Sequence, residues 1–190
     1  MALISIPAER RRVDDPNAVA AFLAQSGLSY ERWAVAGRIA QGADSAAVLQ
    51  AYAPEVERLK RTGGYVTADV IDIGPNTPGL DAMLARFNKE HSHSEDEVRF
   101  ILDGAGIFHI RPSQAPVFAI QVEAGDLLRV PAGTRHWFDL CADRRIRAIR
   151  LFVDPSGWTP QYFDDGVHAA YTPLCWGPRY IAPLGGSAGP

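Results

Sequence analysis

Two histidines and a glutamate within seven residues are the part of this chain best suited to chemistry. They lie in the run His91-Ser92-His93-Ser94-Glu95-Asp96-Glu97-Val98-Arg99-Phe100. A strand sends residues i and i+2 to one face, so His91 and His93 can point together into an interior. On a straight strand Glu97 would lie roughly 13 Å beyond His93, too far for both to reach one ion. Ser94-Glu95-Asp96 must therefore bend and return Glu97 beside the histidines. A second run, Gly125-Asp126-Leu127-Leu128-Arg129-Val130-Pro131-Ala132-Gly133-Thr134-Arg135-His136, reads as strand, tight turn and strand, and brings in His136. Three imidazoles and one carboxylate make a mixed nitrogen and oxygen set suited to Fe(II), Ni(II), Mn(II), Co(II), Cu(II) or Zn(II). Four protein donors leave an octahedral ion two open positions, as a catalytic site requires.

Arg99 shares a strand face with Glu97, so it too should look toward the ion. A guanidinium buried there needs an anion. Glu97 or Asp103 could serve, and so could an anionic substrate, which arginine recognises through its planar, permanently charged fork. Phe138 lies on the His136 face. Glu95 and Asp96 read as solvating the bend, His109 and His168 as structural or surface residues, and Gly104, Gly106, Gly125 and Gly133 as turn glycines.

The spacing H-x-H-x-x-x-E-(x)6-G from His91 to Gly104 resembles the first cupin motif, and Gly125 to His136 resembles the second. More closely, Glu90–Phe100, Val130–Thr134, His136-Trp137-Phe138-Asp139 and Ala148-Ile149-Arg150-Leu151-Phe152 resemble the acireductone dioxygenases of methionine salvage. The likeness covers roughly residues 30–165. It implies metal ligation by His91, His93, Glu97 and His136, a catalytic role for Arg99, and substrate contacts from Phe87, Phe138, Arg150 and Trp158. It also implies one Fe(II) or Ni(II) per chain, with a small enediol and O2 as reactants. Two alternatives keep the same ligands: another cupin oxygenase or isomerase acting on a chelating enol or dicarbonyl, and a cupin that binds a ligand without catalysis.

The elements that must position these residues fit that resemblance. Asp15-Pro16 reads as a helix start and Gly27 as its stop. Residues 45–61 have helical spacing that Pro54 should break. Leu3–Ile6, Tyr30–Trp33 and Tyr65–Ile73 read as strands, and Asp81–Phe87 as a short helix. Beyond Glu90 the pattern becomes short strands: Glu97–Leu102, Ile107–Arg111, Val117–Val122, Asp126–Val130, His136–Leu140 and Ile146–Val153. Turns are expected between them, one at Asp103-Gly104. Such spacing suggests a sandwich or barrel. With the resemblance, the expected fold is mainly β, a cupin-type double-stranded β-helix (jelly-roll) barrel with a few helices mostly in the N-terminal part. A single domain over 1–190 is expected, with a barrel core at 91–165 and an irregular tail at 166–190.

The 190 residues carry a net charge of −3, which argues against nucleic-acid or anionic-membrane partners. No run has transmembrane length, and Met1–Arg12 lacks the apolar core of a signal peptide. The expectation is a cytoplasmic monomer, in which Cys141 and Cys175 stay reduced.

Overall fold

The structure, a computed structural model, describes residues 1–154 and 159–177. Its strands are β1 (Leu3–Ile6), β2 (Arg11–Val13), β3 (Ser29–Arg32), β4 (Thr67–Ile73), β5 (His91–Ser92), β6 (Glu97–Arg111), β7 (Phe118–Glu123), β8 (Asp126–Val130), β9 (Arg135–Leu140), β10 (Ile146–Phe152) and β11 (Gln161–Tyr162). Four helices accompany them: α1 (Pro16–Gln25), α2 (Ser45–Ala51), α3 (Ala53–Gly63) and α4 (Leu80–Leu84). The architecture is the mainly β, cupin-type jelly roll anticipated from the sequence, with the sheet left open rather than closed into a ring.

Strand β6 organises everything else. Its first half, from Glu97, pairs with β8 and β10, and β3 and β4 extend that sheet in the order β3-β8-β6-β10-β4. Its second half pairs with β7 and β9 in the order β11-β5-β9-β6-β7-β1-β2. One strand thus serves two sheets, and their inner faces meet around the apolar cluster of Ile101, Phe108, Ile110, Phe118, Ile120 and Phe138. On the outer face, Val98, Phe100 and Leu102 pack beneath α2 and α3 against Trp33, Tyr52 and Val56.

The turn expected at Asp103-Gly104 is instead a bulge within β6. Ala148 of β10 faces Ile101 while Arg147 faces Asp103, so β6 carries one extra residue there. Bulges bend a strand and increase its twist, and this one hands β6 from one sheet to the other. Gly104 takes φ +80°, and a Cβ on it would collide with the Arg145 carbonyl. The bulge also exchanges the two faces: Glu97, Arg99 and Ile101 point inward before it, and Phe108 and Ile110 after it.

The N-terminal half follows local rules. Asp15 caps α1 by accepting from the backbone N–H groups of Asn17 and Ala18 at 3.1 and 2.9 Å, with Pro16 in the first turn. Pro54 divides the 45–61 stretch as expected, and its own place is the first turn of α3, where a missing N–H costs nothing.

The two cysteines depart from expectation: Cys141 and Cys175 form a disulfide, with Cα atoms 5.8 Å apart. Neither their spacing nor the expected compartment favours pairing. The tail brings them together by folding back over the outer face of β6, β7 and β9, where Ala105, Ile107 and Ala119 surround them. On that face His109 stacks on Trp137 at 4.9 Å, and burial pushes its pKa down to about 4.

Gly104→Ala forces a side chain into left-handed backbone and against a carbonyl. Urea denaturation should show a loss of about 2–3 kcal/mol, and an unchanged midpoint would contradict the bulge.

Candidate metal centre

His91, on the two-residue strand β5, pairs directly with His136 of β9. The bend between His93 and Glu97 forms as required, and acidic side chains brace it. Asp96 accepts from the backbone N–H of Ala132 at 2.9 Å, from the Tyr65 hydroxyl at 3.1 Å and from Arg129 Nε at 2.5 Å. Glu95 accepts from the backbone N–H groups of Val153 and Asp154 at 2.6 and 3.2 Å. The backbone N–H of Gly133 donates to the His93 carbonyl at 2.9 Å, tying the Pro-Ala-Gly turn to the same bend. Glu95 and Asp96 therefore do more than solvate the bend; they fasten it to three other segments.

These ties bring His91, His93, Glu97 and His136 together, with one donor atom from each lying within 4.8 Å of the others. All four are buried, none more than 3% exposed. Each imidazole is held by its Nδ1 beside a backbone carbonyl: His91 at Lys89 (2.6 Å), His136 at Thr134 (2.8 Å) and His93 at Thr159 (3.3 Å). A carbonyl only accepts, so Nδ1 carries the proton and donates, and Nε2 keeps its lone pair for the centre.

Those lone pairs test whether a cation fits. His93 Nε2 and His136 Nε2 lie 3.1 and 3.2 Å from Glu97 Oε2. Burial raises the Glu97 pKa, the charge of Arg99 opposes it, and that pKa lies well below the usual carboxylate range. Lone pairs aimed at an ionised carboxylate need positive charge between them. His91 does not supply it as an imidazolium, because burial, then His136, pushes its pKa down to about 4. Its buried Nε2 has no hydrogen-bond partner among the described residues. The donor set fits a divalent cation of borderline softness.

Arg99 adjoins this cluster, as strand parity indicates. Its Nε lies 2.6 Å from Glu97 Oε1, an ion pair without hydrogen-bond alignment. Burial lowers its pKa and Glu97 opposes that change. Of the two carboxylates considered from sequence, Glu97 is the one placed against it, while Asp103 pairs with Arg145. Three aromatic rings wall the guanidinium, with centroids at 4.7 Å (Phe138), 5.5 Å (Phe108) and 5.9 Å (Phe87). The Phe138 N–H donates to the Phe87 carbonyl at 2.8 Å, which joins two of these ring-bearing segments. Gly106 is not a turn residue; a Cβ there would strike the Phe138 ring. Arg150 stands directly across from Arg99 on β10, and Asp69 accepts from it at 2.9 and 2.5 Å. Trp158 lies outside the described residues.

Two residues escape the sequence reading. Phe108 sits on the wrong parity for Glu97 until the bulge exchanges the faces. Glu90, completely buried, accepts from Arg111 at 3.0 Å and Arg135 at 2.7 Å, and both arginines also bind Asp165. Its place immediately before His91 is the one signal that could mark it.

A jelly roll whose interior gathers three histidines and a glutamate is a metal-binding cupin. The model of the ARD/ARD' family matches residues 8–160. An acireductone dioxygenase of a Synechococcus strain is 40% identical over 161 residues, covering 85% of this chain and 86% of the relative. That of Methylococcus capsulatus is 44% identical over 150 residues, covering 79% and 80%. Among solved structures, an acireductone dioxygenase from Bacillus anthracis with a cadmium ion in its active centre superposes with a TM-score of 0.81. It is 37% identical and spans 85% of this chain and 98% of its own. The chain belongs to the ARD/ARD' family.

Removing one donor tests the cluster. His93→Ala should abolish retention of a divalent metal, measured by mass spectrometry on protein purified without chelators. Full retention would take His93 out of the ligand set.

Proposed function

We propose that this chain is an acireductone dioxygenase. It cleaves 1,2-dihydroxy-5-(methylthio)pent-1-en-3-one with O2, using one Fe(II) or Ni(II) held by His91, His93, Glu97 and His136, and works as a cytoplasmic monomer. The observation that carries this reading is the set of three imidazoles, each held at Nδ1, around an ionised Glu97 with Arg99 beside it. Bound there, the cation supplies Lewis acidity and a template for the enediol and O2.

The rest falls to the protein. The backbone carbonyls of Lys89, Thr134 and Thr159 hold the three rings in one tautomer and orientation, so the donors need not rearrange. Arg99 stabilises the substrate oxyanion. Buried among aromatic rings, its charge acts in a poorly screened setting where electrostatic stabilisation counts most. Phe87, Phe108 and Phe138 exclude water and offer an apolar wall for the methylthio tail. Arg150, across the strand from Arg99 and paired with Asp69, and Trp158 are assigned to the same pocket by family resemblance. The expected products are 4-methylthio-2-oxobutanoate and formate for the Fe(II) form, and 3-methylthiopropanoate, formate and carbon monoxide for the Ni(II) form.

The test is anaerobic loading with Fe(II) or Ni(II), addition of the enediol, and admission of air. Loss of the enediol ultraviolet band with formate release is expected; an unchanged band over metal-loaded protein would overturn the assignment. Arg99→Ala should keep its metal yet lose turnover by about a hundredfold or more, the scale of deleting one preorganised electrostatic group. Unaltered turnover would reduce Arg99 to a structural partner of Glu97.

A further inference from the structure

We propose that the Cys141–Cys175 disulfide is a redox-operated latch on residues 159–176, and that opening it loosens the metal centre. The proposal adds regulation to the site described above and rests on that reading for the metal.

Residues 159–165 form the outer wall of the site, and the segment continues to 176 over the outer face of β6, β7 and β9. The Thr159 carbonyl accepts from His93 Nδ1 at 3.3 Å. Tyr162 of β11 pairs with His91, and its ring centroid lies 6.1 Å from that imidazole. The Phe163 N–H donates to the Glu90 carbonyl at 3.1 Å, and Asp165 bridges Arg111 and Arg135 at 2.8 and 2.7 Å. Further on, Tyr171 packs against Trp137, and the Gln121 side chain exchanges two hydrogen bonds with the Trp176 backbone at 2.8 and 2.5 Å.

What holds this wall down is decided by burial. From residue 159 to 177, Cys175 is the one buried position. The polar ties are half-exposed, and such ion pairs contribute little. The disulfide is therefore the deep anchor of the segment. Its other end, Cys141, directly follows β9, the strand that carries His136. The family match, residues 8–160, includes Cys141 and ends before Cys175.

Opening it requires a dithiol reductant. A thiolate attacks one sulfur to give a mixed disulfide, and the second thiol of the reductant displaces the remaining cysteine. Cys141 and Cys175 leave as two thiols, having gained two electrons and two protons, and the reductant leaves as its own disulfide. Both sulfurs are buried, so attack waits on local opening of the tail. In a reducing compartment disulfides are usually transient or redox-sensing, which fits a latch better than a permanent staple. Coupling between two sites is reciprocal: a closed tail that retains metal implies bound metal that resists opening.

The experiment compares air-purified protein, the same protein reduced with a dithiol, alkylated and desalted, and Cys175→Ser. Each is loaded with Ni(II), then followed for nickel transfer to a chelator and for chymotryptic cleavage after Tyr162, Phe163 and Tyr171. The reduced protein and the variant should release nickel at least about fivefold faster and lose the tail sooner, as expected for a segment cut from its anchor. The variant should not respond further to reductant. Equal release and equal cleavage across the three, or two free thiols in the air-purified protein, would overturn the latch. Faster cleavage with unchanged nickel release would overturn its coupling to the metal centre. If no form binds nickel, the metal reading fails, while the cleavage comparison still decides the latch.

Discussion

The structure turns on a buried negative charge. Glu97 is 2% exposed and ionised, and taking a carboxylate out of water costs several kcal/mol unless positive charge and hydrogen bonds offset it. Arg99 supplies one charge from the next inward position of the same strand, and His93 and His136 approach from two other segments. A cation among them would let the lone pairs of those imidazoles face the carboxylate stably. The arrangement therefore defines a cation site by what it would otherwise lack.

Satisfying that charge determines how the strands are connected. His91 and His93 arrive on one side of a bend, and Glu97 begins the strand on the other side. Asp96 closes the gap by binding the backbone of the Pro131–Gly133 turn that delivers His136. Strand β6 then carries Glu97 and Arg99 in one sheet and Phe108 in the other. The bulge near Gly104 lets one strand do both, because the extra residue exchanges inward and outward faces midway. The aromatic wall around Arg99 is a product of that exchange.

The tail completes the site from outside. Strand β11 extends the sheet beyond β5, and the half-exposed ion pairs of Asp165 lie over completely buried Glu90. Farther along, a covalent bond takes over from packing. The metal centre is thus walled by strong secondary structure on its inner side and by a thin, pinned segment on its outer side.

Much of this was legible in the sequence because it rests on short-range periodicity. The two-residue spacing of His91 and His93, the need for a bend before Glu97, the shared face of Glu97 and Arg99, and the cap at Asp15 all depend on neighbours within a few residues. The division of the 45–61 helix at Pro54 is of the same kind. Tertiary structure decided what crosses long separations. The bulge in β6 is created by its pairing with β10, so the inward placement of Phe108 cannot be counted from Glu97. Glu90 finds Arg111 and Arg135, which it shares with Asp165, only after distant segments meet. Cys141 and Cys175 are 34 residues apart, and only the folded path of the tail makes them neighbours. Local pattern reports which face a residue takes on its own element; it carries no information about what the rest of the chain lays against that face.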